Sequence, residues 1–131
     1  MKLLAIDVGL KRIGVAYTPD GKLTLPLDPI PRKNRNQAAS AVLAVLAEWN
    51  AEGLVVGLPK GGESEEEMER RIRHFVGLLE YAGPVYFQDE YGTSAEAKEM
   101  SKGVFRHQKD GKIDSLAAKI ILERWLEGGG K

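Results

Sequence analysis

Three acidic positions stand where carboxylates could do chemistry. Asp7 closes a short apolar run, Leu3-Leu4-Ala5-Ile6, that suits a buried strand. A carboxylate at such a place costs several kcal/mol unless it is paired, protonated or metal-bound. Gly9 and Gly14 flank it, and glycines let a ligand or another backbone come close. Capping the turn at Gly9 would explain Asp7 equally well. Asp89-Glu90 end a second predicted strand, where open α/β sheets place ligands, although a solvated strand end looks the same. Asp114 sits at the margin of the apolar face of a predicted last helix, and by itself reads as an acid serving the helix dipole.

Taken together, two strand ends and a helix start could hold two Mg²⁺ or Mn²⁺ ions about 3.5–4 Å apart. Hard oxygen ligands match hard cations. The chain has no cysteine and only His74 and His107, so thiolate sites are excluded and a histidine-built zinc site is improbable. Phosphoryl transfer needs positioning and charge neutralisation more than a protein nucleophile. Basic residues in predicted loops could line a nucleic-acid backbone: Lys11, Arg12, Arg32, Lys33, Arg35, Lys60, Arg106, His107 and Lys109. Each taken singly reads equally as a solvated side chain. Trp49, Phe75 and Trp125 fall on apolar helix faces and are expected in the core, so no base-stacking platform is foreseen.

The elements that must position these residues follow from pattern. Strands are expected at Leu3–Ile6, Ile13–Tyr17 and Lys22–Leu27, joined as an antiparallel meander through the turn Pro19-Asp20-Gly21. The stretch Pro26–Pro31 and the basic cluster after it read as a loop. A helix over Asn36–Asn50 follows, with Val42, Leu43, Leu46 and Trp49 at helical spacing. Gly53–Gly57 reads as a fully apolar strand. Ser64 reads as the cap of a helix opening with Glu65, Glu66 and Glu67 and reaching about Tyr81. The fifth strand is Val85–Gln88. Thr93-Ser94-Ala95-Glu96 has capping-box spacing, 103–111 reads as a basic loop, and Lys112–Glu127 reads as the last helix. Hairpins followed by helix-linked strands predict an α/β fold, a mixed five-stranded sheet with helices on both faces.

With 131 residues, 43% hydrophobic and 29% charged, the chain fits one domain over 1–131. The first apolar run is too short for a signal peptide or a membrane span, so a cytoplasmic protein with no membrane partner is expected. Net charge is zero, which is not the usual footprint of a nucleic-acid binder, but its distribution is uneven. Residues 1–40 carry seven Lys/Arg against three Asp/Glu, 101–131 carry seven against four, and 41–100 carry five against twelve. The basic ends could come together in the fold while the acidic middle faces elsewhere, although such local excess is common on solvated surfaces.

Ile6-Asp7-Val8-Gly9-Leu10-Lys11-Arg12-Ile13-Gly14-Val15-Ala16 closely resembles the opening motif of the YqgF family. Gly57-Leu58-Pro59, Asp89-Glu90 with Thr93, and Ile113-Asp114-Ser115-Leu116-Ala117-Ala118 resemble its later motifs, in the family's order over nearly the whole chain. The resemblance implies a ribonuclease H-like fold and a metal-dependent nuclease processing the 5′ end of precursor 16S ribosomal RNA. It places the catalytic and metal-holding acids on Asp7, Glu90 and Asp114, and adds Thr93 to the nucleic-acid contacts. The same family carries a Holliday-junction resolvase-like label. The chain departs from it at Tyr91-Gly92, where the family has Arg-Leu. A tyrosine cannot supply an arginine's fork of donors.

Three other readings remain. An actin-like kinase or ATPase half also opens with Asp-x-Gly and a hairpin, but such proteins close two domains around ATP. A non-catalytic RNA- or ribosome-binding module would keep the acids for structure. Four-way junction DNA is an alternative substrate. Its resolution needs a dimer, and no dimer interface is evident, so a monomer or weak dimer is expected.

Overall fold

A computed structural model describes residues 1–60, 64–90 and 112–128, of which 112–114 by backbone alone. The elements are β1 (Leu3–Val8), β2 (Arg12–Thr18), β3 (Leu25–Pro31), α1 (Arg35–Glu48), β4 (Gly53–Pro59), α2 (Glu65–Leu79), β5 (Val85–Glu90) and α3 (Lys112–Glu127). The strands form one sheet in the order β3-β2-β1-β4-β5. The first three make the expected antiparallel meander, while β4 pairs parallel to β1 and β5 parallel to β4. Parallel pairing puts the carboxyl ends of β1, β4 and β5 along one edge of the sheet.

Alternation along the strands divides the apolar side chains between two faces. Leu4, Ile6, Val15, Val56 and Leu58 pack with Val42 and Leu46 of α1 and Ile72, Phe75 and Leu79 of α2. On the other face Leu3, Ala5, Ala16 and Val55 pack beneath Ala118, Ile121, Leu122 and Trp125 of α3. The sheet is covered on both faces, as the pattern predicts. No helix among the described residues is long and apolar enough to cross a membrane.

Two local expectations are corrected. The proline-rich stretch Pro26–Pro31 is strand, not loop. Proline cannot donate to a ladder, but β3 lies at the sheet edge, where that loss is tolerated. Trp49 is not core: it stands at the end of α1, 37% exposed, with its ring 4.9 Å from that of Tyr17. Leu43 is likewise at the surface, and α1 buries Ala38, Ala39, Val42 and Leu46 instead. The segments expected as a capped helix from Thr93 and as a basic loop over 103–111 lie outside the described residues.

The two helix starts differ in kind. The Asn34 side chain accepts a hydrogen bond from the Gln37 N–H at 2.8 Å, satisfying one of the free donors of α1. Ser64 occupies the same position before α2 without any side-chain bond to the helix. Asn34→Ala is therefore expected to destabilise the protein by about 1 kcal/mol. Ser64→Ala should stay within about 0.5 kcal/mol of the parent. Urea unfolding of both variants checks this, and equal losses would contradict it.

Candidate active site

Asp7 shares the face of Leu3 and Ala5, four and two residues before it, and so points to the α3 side of the sheet. It is half-buried. Its partner across β2 is Gly14. On the other side the register with β4 runs to Ile6↔Val56, and Gly57 is the residue that follows Val56 as Asp7 follows Ile6. Asp7 thus has a glycine on each side, and neither neighbour raises a side chain beside the carboxylate.

Gly57 also clears the way for Glu90. That residue pairs with Pro59, two positions further along β4, and its side chain reaches back over the sheet. A Cβ built on Gly57 would lie 2.9 Å from Glu90 Oε2 and 2.4 Å from Ile121 Cδ1. The bare backbone at position 57 is a cradle that one methyl group would fill. Asp89, one residue earlier, belongs to the opposite face, is exposed, and stands 3.9 Å from the Lys60 ammonium. Of the doublet read from sequence, Glu90 alone faces α3.

Asp114 lies in the first turn of α3, one residue before Ser115, and its side chain is outside the described residues. The fully buried Ser115 hydroxyl donates to the Leu27 carbonyl at 2.6 Å and accepts from the Val15 N–H at 3.3 Å. Val15 and Leu27 are register partners at the irregularity between β2 and β3. The serine therefore bridges the ladder where it is disturbed and fastens the start of α3 to β2, next to Gly14. A buried hydroxyl needs such partners, because an unsatisfied one costs about 1–3 kcal/mol.

The turn after Asp7 is closed by the Gly9 N–H donating to the Arg12 carbonyl at 3.0 Å. A Cβ on Gly9 would stand 2.6 Å from that oxygen, so glycine is required. Arg32 braces the turn: its Nη1 donates to the Gly9 carbonyl at 2.9 Å, and its guanidinium lies 5.6 Å from the Phe75 ring centroid. Lys11, Lys33 and Arg35 are exposed around the same edge, and Arg12 is half-buried at the start of β2. Lys60 donates to Glu69 at 3.1 Å, with Asp89 at 3.9 Å and Glu65 at 4.0 Å, so its charge is met by acids of this chain. The hydrogen bond to Glu69 raises the Lys60 pKa, and its bonds to Lys60 and Arg73 lower that of Glu69. The contribution of Glu69 is lost as pH falls below its ordinary 4.5, and that of Lys60 as pH rises above 10.5. Thr93, Arg106, His107 and Lys109 lie outside the described residues, as do Tyr91 and Gly92.

Two carboxylates on one face at the carboxyl ends of parallel strands, flanked by glycines, supply hard oxygen donors suited to a hard cation. Among the described residues they form no cluster of three potential ligands. The family described as "RuvX: Holliday junction resolvase" matches residues 1–128. The chain belongs to the RuvX family.

Within it, the chain is 68% identical over 126 residues to a protein of Sulfurovum sp. (strain NBC37-1) named "Putative pre-16S rRNA nuclease", covering 96% of this chain and 98% of that one. A relative of the same name from Sulfurimonas denitrificans is 49% identical over 126 residues, covering 96% and 97%. RuvX is the family that the opening motif indicated under the name YqgF. The fold is shared with Thermus thermophilus RuvC in complex with a Holliday junction substrate, at TM-score 0.58, 18% identity, and 99% and 96% coverage. It is also shared with fowlpox virus resolvase in complex with junction DNA, at TM-score 0.61, 14% identity and 100% coverage of both chains. The ribonuclease H-like expectation for the sheet and its helices holds.

Sequence reasoning took Gly57 and Ser115 only as parts of motifs and gave neither a role in the site. A lone glycine inside a fully apolar strand is a signal of close approach, and a serine within an apolar helix face is a signal of a buried bond. Gly57→Ala is expected to destabilise the protein by about 1–3 kcal/mol through overpacking and to displace the Glu90 carboxylate. Gly77→Ala is the comparison, because a Cβ there meets nothing within 4 Å. It should be neutral or stabilising by about 0.4–1 kcal/mol. Thermal unfolding of the pair decides, and a Gly57→Ala variant as stable as Gly77→Ala would contradict the cradle.

Proposed function

We propose that the chain is a metal-dependent nuclease that hydrolyses phosphodiester bonds, acting in the cytoplasm on the 5′ end of precursor 16S ribosomal RNA, with the assembling ribosome as a partner. The observation that carries this reading is the presence of Asp7 and Glu90 on one face beside the bare backbone of Gly57. Asp114, in the first turn of the helix that Ser115 fastens to β2, completes the set in this reading. These three carboxylates would hold two Mg²⁺ or Mn²⁺ ions.

Bound there, such ions would activate water and neutralise charge on the scissile phosphate. The protein's own part is geometric. The parallel strands fix the two carboxylates, the glycines leave room for the phosphate, and the basic edge around Lys11 and Arg32 orients the backbone. Lys60, already met by three carboxylates, is better suited to joining the start of α2 to the end of β5 than to gripping substrate. RNA is favoured as substrate because the relatives sharing 68% and 49% identity are named for it. Junction DNA is the second reading, supported by the family's description.

Cleavage of single-stranded precursor RNA and of four-way junction DNA, compared with and without Mn²⁺, tests both. The parent should cut the RNA only with the divalent ion. Asp7→Asn keeps the shape and loses the charge, and should slow cutting at least about a hundredfold, since metal assistance is worth several kcal/mol. An Asp7→Asn variant that cuts at the parent rate would refute the metal mechanism. Cutting of the junction with the RNA left intact would replace RNA by DNA as substrate.

A further inference from the structure

On the face of the sheet opposite the carboxylates, an open groove of about 580 Å³ lies between the start of α1 and the first half of α2. Arg32, Arg35, Arg70, Arg71 and His74 line it, with Glu67 as the one acid among the described residues. The α2 members recur at 67, 70, 71 and 74, the spacing that puts side chains on one helical face. Ile72, Phe75 and Leu79 turn the adjacent face of α2 into the core, so the basic stripe is held rigidly.

The charges in this groove are unevenly met. Glu67 is taken by Arg71 at 2.6 Å. Arg35 and Arg70 have no acidic partner among the described residues. Arg32 spends one donor on the Gly9 carbonyl and keeps others of its five. It therefore stands between the turn that follows Asp7 and the groove, at the sheet edge common to both. An open concavity whose four arginines come from around the start of α1 and from α2 fits a flexible chain of phosphates that can bend to them, and it has more guanidinium groups than one phosphate can use.

We propose that this groove is a second phosphate-binding subsite, gripping the backbone of a single-stranded nucleic acid on one side of the bond presented to Asp7 and Glu90. This deepens the nuclease reading and rests on it for the nature of the ligand. The α2 arginines belong to the acidic middle of the sequence, so neither the segment charges nor the motifs point to them. Arginine is suited to the task because its planar fork engages two phosphate oxygens at once.

The test is binding of a labelled single-stranded oligouridylate, read by fluorescence anisotropy across a salt series without divalent ions, so that nothing is cut. Arg35→Ala/Arg70→Ala should lower the salt slope by about 1.4, at about 0.7 per lost phosphate contact. By the same relation, affinity at about 0.1 M salt should fall roughly 25-fold. Arg35→Lys/Arg70→Lys should recover most of the slope, and Lys22→Ala, an exposed lysine on the β2–β3 connection, should change neither quantity. An unchanged slope in the double alanine variant overturns the subsite and leaves the nuclease reading intact. So does a parent that does not bind the strand. A chain that shows the slope change but cuts neither RNA nor junction DNA would keep the subsite and end the nuclease reading.

Discussion

Parallel pairing of β1 with β4 and of β4 with β5 is the constraint on which the rest of the site depends. It sends three carboxyl ends to one edge of the sheet, and the two-residue period of a strand then decides which face each side chain takes. Asp7 and Glu90 fall on the same face because their strands are in register through β4, with Gly57 between them. A slip of one residue in either pairing would send one of the carboxylates to the α1–α2 side. Register here is held by two apolar layers, so the chemistry is anchored by the packing of Leu4, Ile6, Val55 and Val56.

The helix across that face is tied down separately. The Ser115 hydroxyl takes up a donor and an acceptor of the β2–β3 ladder, so α3 is joined to the sheet by hydrogen bonds at its start and by Trp125 stacked on Tyr86 near its end. Ile121 lies over Gly57 between these two points. A helix pinned in this way has little freedom to slide, which suits the proposed role of Asp114, one residue before Ser115, as a third acid. On the opposite face, Arg32 links the turn after Asp7 to Phe75 of α2. The two faces thus meet at the same edge.

Much of this was legible in the sequence, for physical reasons. The apolar runs at β1 and β4, the hairpin turns and the last helix are strong local signals, and the acids at the strand ends stood out because carboxylates are costly there. The proline-rich β3 was misread because proline argues against a strand only where a neighbour needs its N–H, and edge position is a tertiary fact. Trp49 was misread because helical spacing gives a face but not where the helix runs out of sheet to cover. The charge sums gave no sign of the α2 arginines. They assigned 41–100 to the acidic side, yet Arg70 and Arg71 rise from α2 toward Arg32 and Arg35. A sum along the chain cannot see a stripe set by helical periodicity.

The central claim is that Asp7 and Glu90 act as one ion-binding unit. It is tested most directly by Mn²⁺ binding, followed by electron paramagnetic resonance of the free ion, with no nucleic acid present. Asp7→Asn and Glu90→Gln should each weaken Mn²⁺ binding by at least about tenfold, given that even outer-shell partners of a metal site cost 10–100-fold. Asp89→Asn, on the opposite face beside Lys60, should bind as the parent does. Parent-like Mn²⁺ binding by Asp7→Asn and Glu90→Gln, or an equal loss in Asp89→Asn, would contradict the account.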